Sequence, residues 1–229
     1  MKQIPLAIGV ATRRSFENFL PGANEPAISH LRALSAQSTQ TARWAPGYRW
    51  GASGSGKTHL LQALVHHFDG RGLRSAWFSA ADAAPWPFDE GWALIAIDAV
   101  DALDADQQHA AFALFVEAAT RGLPVVAAGH VPPVDLPLRE DLRTRLGWGH
   151  VFALQPLAEP EVRAALRREA DRRGIFLSDE VMDYLLTRFA RDLKHLMAQL
   201  DRLDEFSLAT KRVISVPLLK QMHAQEGAP

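Results

Sequence analysis

The chain contains no cysteine. That excludes disulfide staples and thiolate metal sites, and it suits a reducing compartment. An excess of one charge is also missing: 25 Lys and Arg stand against 26 Asp and Glu, for a net charge of -1. Such a balance argues against a protein that holds nucleic acid mainly by attraction to phosphate. Long hydrophobic runs are absent too. Stretches such as Trp92 to Ile97 fall far short of the roughly 20 residues that cross a membrane. The apolar stretch Ile4 to Ala11 is short and interrupted, and Arg13 and Arg14 follow it instead of preceding it. That is the reverse of a secretory signal, so a soluble cytoplasmic protein is expected. What the chain does have is enough apolar material for a core. It is 48% hydrophobic and 22% charged, which excludes a disordered or low-complexity chain. Its 229 residues allow one large domain, or one domain and a smaller one, at roughly 100–200 residues each.

Periodicity divides the chain. Residues 1–24 read as a tail and leader, and a helix is predicted from Pro26 to Ala36. A loop follows over Ser35 to Gly47, broken by Pro46-Gly47. The pattern then alternates. Strands are predicted at Tyr48–Trp50, Arg74–Ser79, Trp92–Asp98 and Val125–Ala128, with helices from Lys57 to Phe68 and from Asp104 to about Gly122. Asp104 and Gln107 have the spacing of a capping box. Apolar strands separated by helices predict an α/β fold, a parallel sheet covered on both faces. After Pro156 helical spacing takes over: Val162, Leu166 and Ala170 recur at four-residue steps, and Leu193, Leu196, Leu200 and Leu203 at three or four. Ser178 reads as a helix start and Pro217 suits the first turn of a last helix. The expected division is a tail and leader over 1–24, an α/β base domain over 25–155, and a small all-helical domain over 156–229.

The strongest motif is Gly51-Ala-Ser-Gly-Ser-Gly56-Lys57-Thr58. It fits G-x-x-x-x-G-K-[ST] in full, with a predicted strand before it and a helix after it. Glycines let backbone N–H groups curl round a phosphate without Cβ clashes. The helix that begins near Lys57 adds the positive end of its dipole. Lys57 is placed to reach the β- and γ-phosphates, and Thr58 to offer its hydroxyl oxygen to Mg²⁺. Gly51, Ser53, Gly54, Ser55, Gly56, Lys57, Thr58 and His59 are therefore the candidate contacts for ADP or ATP. Trp92-Ala-Leu-Ile-Ala-Ile-Asp98 supplies the acid that such a loop requires at the end of a neighbouring strand. Asp98 would hold Mg²⁺ through water; on its own it would read equally well as a turn after a buried strand. Position 99, where a hydrolysing enzyme of this kind carries a second acid, is alanine. Asp101 either substitutes in part or begins the next turn.

The order of P-loop, apolar strand ending in Asp, Arg-containing segment and helical lid resembles an AAA+ module. Gly56-Lys-Thr-His-Leu-Leu61 resembles the P-loop start of the bacterial replication initiator DnaA and its relatives. Phe16-Glu-Asn-Phe-Leu-Pro-Gly22-Ala-Asn24 resembles the leader F-x-N-F-x-x-G-x-N of that family, as far as its spacing goes. Asp141-Leu-Arg-Thr-Arg145-Leu-Gly-Trp-Gly149 resembles its box with Ser or Thr before a key Arg and W-G after it. Together these cover the chain from residue 16 onward. Within the DnaA-related AAA+ family the likeness is to regulatory inactivators of the initiator. The lid is expected to end the chain, without the initiator's helix-turn-helix domain, and no long N-terminal domain is expected before the AAA+ module. Residues 3 to 8, Gln-Ile-Pro-Leu-Ala-Ile, resemble the Q-L-x-L-x-L peptide that binds the bacterial sliding clamp. Gln3 would hydrogen-bond at a pocket rim, Leu6 and Ile8 would fill an apolar groove, and Ile4 would pack beside them; read without the family, the segment is equally a terminal strand or a tail without a role.

The resemblance implies a function. Arg145 matches an arginine finger, given in trans to the γ-phosphate of a neighbour's ATP. The chain would bind ADP or ATP with Mg²⁺, dock on the clamp, and stimulate hydrolysis of initiator-bound ATP, touching DNA only through the clamp. A homo-oligomer is compatible with the same features. Two further positions depart from the family. His130 stands at the sensor 1 position, where the initiator has Asp. Lys194, in Arg191-Asp-Leu-Lys194, stands at sensor 2, where Arg is usual, with Arg191 as the other candidate. With Ala99 these departures predict weak hydrolysis by the chain itself. An autonomous ATPase of helicase-loader type is the alternative, disfavoured by Ala99 and the clamp peptide. A small-molecule kinase is disfavoured by the helical lid.

Overall fold

In a computed structural model of the chain, residues 13–36, 45–189 and 192–226 are described. They form two compact units. The first comprises the chain up to Phe19, Glu25–Trp50 and Gly56–Ala153; the second comprises Leu20–Asn24, Gly51–Ser55 and residues from Leu154 onward.

The first unit is built on a five-stranded, all-parallel sheet in the order β2-β3-β4-β1-β5. Its strands are β1 (Gly47–Trp50), β2 (Arg74–Phe78), β3 (Trp92–Ile97), β4 (Val125–Gly129) and β5 (His150–Ala153). Four of them lie on the predicted runs. The continuously apolar character of β3 and β4 reflects their central place: all of Val125–Gly129 and Leu94–Ile97 are buried. Successive side chains alternate in direction. Ile95, Ile97, Val125 and Ala127 therefore join one cluster, with Ala111, Leu114, Phe115 and Ala118 of α3 (Ala105–Arg121) and Leu142 and Leu146 of α4 (Glu140–Trp148). The other face meets α2 (Lys57–Asp69), whose Leu60, Leu61 and Leu64 are wholly buried. Each such leucine stabilises the fold by about 1.5–3 kcal/mol through burial alone.

The capping box at α3 is formed in full. The Asp104 carboxylate accepts the Gln107 N–H at 2.8 Å, and the Gln107 side-chain oxygen accepts the Asp104 N–H at 2.9 Å. The Gln107 amide also donates to the carbonyls of Ala80 and Asp82, at 3.1 and 2.9 Å. One side chain thus starts a helix and pins the loop after β2.

The second unit holds α5 (Glu159–Arg172), α6 (Asp179–Arg188), α7 (Leu193–Thr210) and α8 (Val216–Glu226). Val162, Leu166 and Ala170 form one core with Leu196, Leu200 and Leu203, as the repeat in the sequence requires, and with Leu218, Leu219 and Met222. Ser178 and Asp192 cap α6 and α7, accepting N–H groups of Val181 and Lys194 at 3.4 and 3.0 Å. The Asn24 side chain both donates to the Gln155 carbonyl (2.9 Å) and accepts its N–H (2.8 Å). That two-way bond is a structural reason for asparagine as the last residue of the leader pattern. No helix of the described residues is long and apolar enough to cross a membrane.

Candidate functional site

Lys57 and Thr58 open α2, directly after β1. The helix enters through Gly56, whose left-handed backbone (φ 94) suits glycine and few other residues. Lys57 is 8% exposed. Burial depresses its pKa, and the neighbouring carboxylates of Asp98 and Asp101 act against that fall. A cation held in this way is ready to receive a further anion. Asp98 follows β3 immediately. Its Oδ2 accepts the Thr58 hydroxyl at 2.7 Å, and its Oδ1 accepts the Ala99 N–H at 3.0 Å. The structure therefore brings together Lys57, Thr58 and Asp98. A hydroxyl and a carboxylate side by side are hard oxygen donors of the kind Mg²⁺ takes, alongside water and phosphate oxygens. The donor set fits that ion, and no group of three or more His, Cys, Asp or Glu suited to a metal occurs among the described residues.

The remainder of the loop, Gly51 to Ser55, belongs to the second unit. Gly54 is again left-handed (φ 77), and a Cβ there would lie 2.9 Å from the Asp192 carboxyl carbon. Asp192 caps α7, so exposed Lys194, the sensor 2 candidate, stands two residues from the loop's neighbour. Arg191 lies outside the described residues. Ser53 is exposed and Ser55 buried. The imidazole of His59 turns toward the leader. Its Nε2 lies 3.0 Å from both the Ser15 carbonyl and Asn18 Oδ1, and Phe19 packs edge-on at 5.2 Å. What His59 retains for a nucleotide is its backbone N–H. His66 likewise meets the leader, its Nδ1 being 2.8 Å from the Arg14 carbonyl.

Arg145 lies on α4 and makes no ion pair among the described residues. Its guanidinium carbon is 5.9 Å from the centre of the Phe112 ring, which Arg139 approaches at 5.8 Å. Arg139 is committed to Asp141 at 2.6 Å. Three residues on from Arg145 in the same helix, Trp148 is 73% exposed. Gln3, Ile4, Leu6 and Ile8 lie outside the described residues.

Reasoning from sequence missed the pairing of Asp101 with His130. The Asp101 Oδ2 is 2.7 Å from His130 Nδ1, and Oδ1 accepts the His130 N–H at 3.1 Å. It also missed Arg49, wholly buried in β1. Arg49 Nη2 contacts His30 Nδ1 at 2.8 Å, and its guanidinium lies over Phe152 at 5.2 Å. Burial lowers the pKa of Arg49 to about 9.

A parallel sheet with a glycine-rich strand-to-helix loop, a buried lysine and a strand-end Asp bonded to the following Thr defines a P-loop protein of AAA+ type. The comparisons with known proteins narrow the class. The family model of the Hda lid domain matches residues 159–222, and that of the bacterial DnaA ATPase domain matches residues 10–75. An uncharacterised protein of Haemophilus influenzae is 31% identical over 233 aligned positions, covering 96% of this chain and 98% of that one. Domain III of the Thermotoga maritima initiator DnaA superposes with a TM-score of 0.75 at 20% identity, over 95% of this chain and 98% of that chain. AMPPCP-bound DnaA from Aquifex aeolicus gives a TM-score of 0.74 at 21% identity, over 94% of this chain and 70% of that chain. The RuvB branch migration motor of Thermotoga maritima gives 0.70 at 15% identity, over 93% and 72%. The chain belongs to the Hda/DnaA-related AAA+ family.

Proposed function

We propose that the protein is a nucleotide-bound regulator of the replication initiator, which docks on the sliding clamp and stimulates hydrolysis of initiator-bound ATP. The observation that carries this reading is Arg145. It stands in the family's Arg box, on α4, with its guanidinium near an aromatic ring and no ion pair to a carboxylate among the described residues. A guanidinium without an ion-pair partner can be given to a neighbour's γ-phosphate, where it stabilises charge that develops in the transition state.

Nucleotide binding rests on Lys57, Thr58 and the backbone of Gly51 to Gly56, and it gains support from the AMPPCP-bound DnaA relative of the same fold. Lys57 would pair with phosphate oxygens, while Thr58 and Asp98 would hold Mg²⁺, Asp98 through water. That ion would supply positive charge to neutralise phosphate oxygens. At the sensor 2 position Lys194 offers a point charge and not a planar fork. ADP or ATP serves here chiefly as a structural ligand, turned over slowly because position 99 carries no carboxylate. The clamp is assigned to Gln3, Ile4, Leu6 and Ile8, a short segment that would order on binding.

The test combines clamp loaded on DNA, ATP-bound initiator and each variant, and follows conversion to ADP. Arg145→Ala should fold, bind ADP and bind clamp as wild type does, yet lose stimulation by about a thousandfold. Arg145→Lys should fail largely, since an ammonium lacks the fork. Stimulation by Arg145→Ala within a few-fold of wild type removes Arg145 from the mechanism, and a wild type that stimulates nothing removes the regulatory reading. Gln3→Ala with Leu6→Ala should abolish clamp binding and leave nucleotide binding intact.

A further inference from the structure

One polar pair at the carboxyl edge of the sheet is left over by the P-loop and the strand-end acid. β4 runs between β3 and β1. The residue that follows β4, His130, therefore emerges between Asp98 at the end of β3 and the connection from β1 to Lys57. Ligands of open parallel sheets bind along this edge. At position 99, where a carboxylate would activate water, there is a methyl group. The Ala99 backbone is left-handed (φ 51, ψ 47). This conformation is costly for a residue with a Cβ, and it turns the chain into the short 3-10 segment that carries Asp101.

Asp101 holds His130 at two points, through Oδ1 to its N–H and through Oδ2 to Nδ1. A carboxylate can only accept, so Nδ1 carries the hydrogen. In the neutral ring Nε2 then bears the lone pair. The neighbours are shaped for this approach. A Cβ on Gly129 would stand 2.9 Å from Asp101 Oδ1 and would also strike the Tyr48 hydroxyl. That hydroxyl is in turn committed, donating to the Val131 carbonyl at 2.7 Å. Asp101 is mostly shielded (21% exposed), while the His130 ring is open (51%). Asp101 also joins Asp98 in acting on the buried Lys57. The dyad carboxylate thus lies near enough to the proposed phosphate-binding lysine for its charge to act on it.

We propose that His130, oriented by Asp101, is the proton acceptor for ATP hydrolysis at this chain's own P-loop, in place of the carboxylate absent at position 99. The proposal rests on the nucleotide-binding reading above. The water oxygen forms a bond to the γ-phosphorus, the bond from that phosphorus to the β,γ-bridging oxygen breaks, and its electron pair leaves with ADP. The proton of the water passes to Nε2, and the Asp101 carboxylate balances the imidazolium until the proton is released to solvent. His130 is a catalytic residue in this scheme and Asp101 a positioning residue. General bases of this kind contribute roughly 10²–10⁴-fold. The scheme accounts for slow turnover without the usual acid.

The experiment uses the full chain and three readouts. Fluorescent ADP gives nucleotide affinity. Single-turnover hydrolysis of γ-labelled ATP, with protein in excess, gives the chemical rate. Nitrogen NMR of the ring gives the His130 tautomer without any nucleotide. Wild type should hydrolyse ATP at least tenfold faster than Lys57→Ala and show the Nδ1–H tautomer. His130→Ala should slow hydrolysis tenfold or more at unchanged ADP affinity, and added imidazole should restore part of the rate. His130→Gln provides the same test should alanine disturb the turn. Asp101→Ala should slow hydrolysis several-fold and lose the fixed tautomer. Full activity in both His130 variants overturns the proposal, as does an Nε2–H tautomer in wild type. A wild type that binds ADP but hydrolyses no faster than Lys57→Ala overturns the dyad alone. A wild type that binds no nucleotide overturns the P-loop reading and the dyad with it.

Discussion

Two polar regions of the first unit are constructed in opposite ways. At the carboxyl edge of the sheet, Lys57 is buried, Thr58 and Asp98 are bonded to each other, and Asp101 holds His130 at two points. On α4, Arg145 lies near the half-buried Phe112 ring and makes no ion pair among the described residues, and Trp148 stands 73% exposed. The groups of the first region are bonded to one another; those of the second make no ion pair among the described residues. A group used in cis must be preorganised, because reorganisation at the moment of reaction costs rate. One used in trans must stay uncommitted, since every bond it makes at home has to be broken on docking. On the proposed function, the first region is built for use in cis and the second is kept for use in trans.

The largest expected effect breaks this contrast on its built side. Lys57→Ala removes the cation proposed to meet phosphate, which Asp98 and Asp101 favour against the effect of burial, and charge-assisted hydrogen bonds contribute about 1.5–3 kcal/mol each. ADP affinity should fall by about two orders of magnitude, measured by titration calorimetry. Arg145→Ala in the same assay should change affinity less than twofold. Equal losses in the two variants would erase the distinction.

Next is a packing test of the same edge. Gly129→Ala forces a methyl toward Asp101 Oδ1 and the Tyr48 hydroxyl. Overpacking of this kind costs about 1–3 kcal/mol, so the melting temperature should fall by about 4–8 °C for a loss near 2 kcal/mol in a chain of this size. The Asp101–His130 contact should loosen with it. An unchanged melting temperature would mean that the dyad sits in slack surroundings.

How much of the molecule is legible in its sequence depends on the range of the interaction. The P-loop, the acid after β3, the capping box at Asp104 and the leucine repeat of α7 are local patterns. Residues a few positions apart dictate them, and they appear where expected. The short strand His150–Ala153 escapes such reasoning. It is an edge strand, exposed at three of its four positions, so it lacks the apolar run that marks β3 and β4. The partners Asp101 and His130 are 29 residues apart, joined only because β3 and β4 lie side by side, and no spacing rule encodes that. Arg49 is invisible for the same reason. A strand arginine reads as solvent-facing until α1 (Glu25–Ala36) and β5 cover it. The imidazole of His59 groups with the phosphate contacts by its place after Thr58, yet its ring binds the leader.

A smaller effect comes from this second built polar cluster. Burial chiefly, with help from the charges of Arg49 and His150, pushes the His30 pKa down to about 4. In the unfolded chain it is near 6.5. The folded pKa is therefore the lower one, and the unfolded chain binds a proton that the folded one refuses. Stability is complete above about pH 6.5 and is lost as the pH falls from there toward 4. Allowing for a ring that is only part-buried, the loss should be about 1–2 kcal/mol. Urea melts at pH 7 and pH 4.5 measure it. His30→Asn keeps an acceptor for Arg49 Nη2 but does not titrate, so it should flatten the difference. An equal slope in His30→Asn would assign the effect elsewhere.

The smallest expected effect sharpens the contrast from the open side. Trp148→Ser removes a large apolar side chain, and in a core such a loss costs about 3–5 kcal/mol. Here the indole is 73% exposed at the end of α4, so little burial is lost. A helix end gains little from tryptophan by propensity either. The melting temperature should move by no more than the equivalent of about 0.5 kcal/mol. Binding is a different matter. An exposed tryptophan next to an uncommitted arginine has the composition of an interface hot spot. Loss of the indole should weaken the functional interaction with ATP-bound initiator by tenfold or more, read as a higher concentration of regulator needed for half-maximal stimulation. Arg145→Ala should instead lower the maximal stimulated rate. If Trp148→Ser unfolds the chain as readily as a core substitution, α4 is not a presented surface. If it leaves the half-maximal concentration unchanged, Arg145 is presented without help from its exposed neighbour.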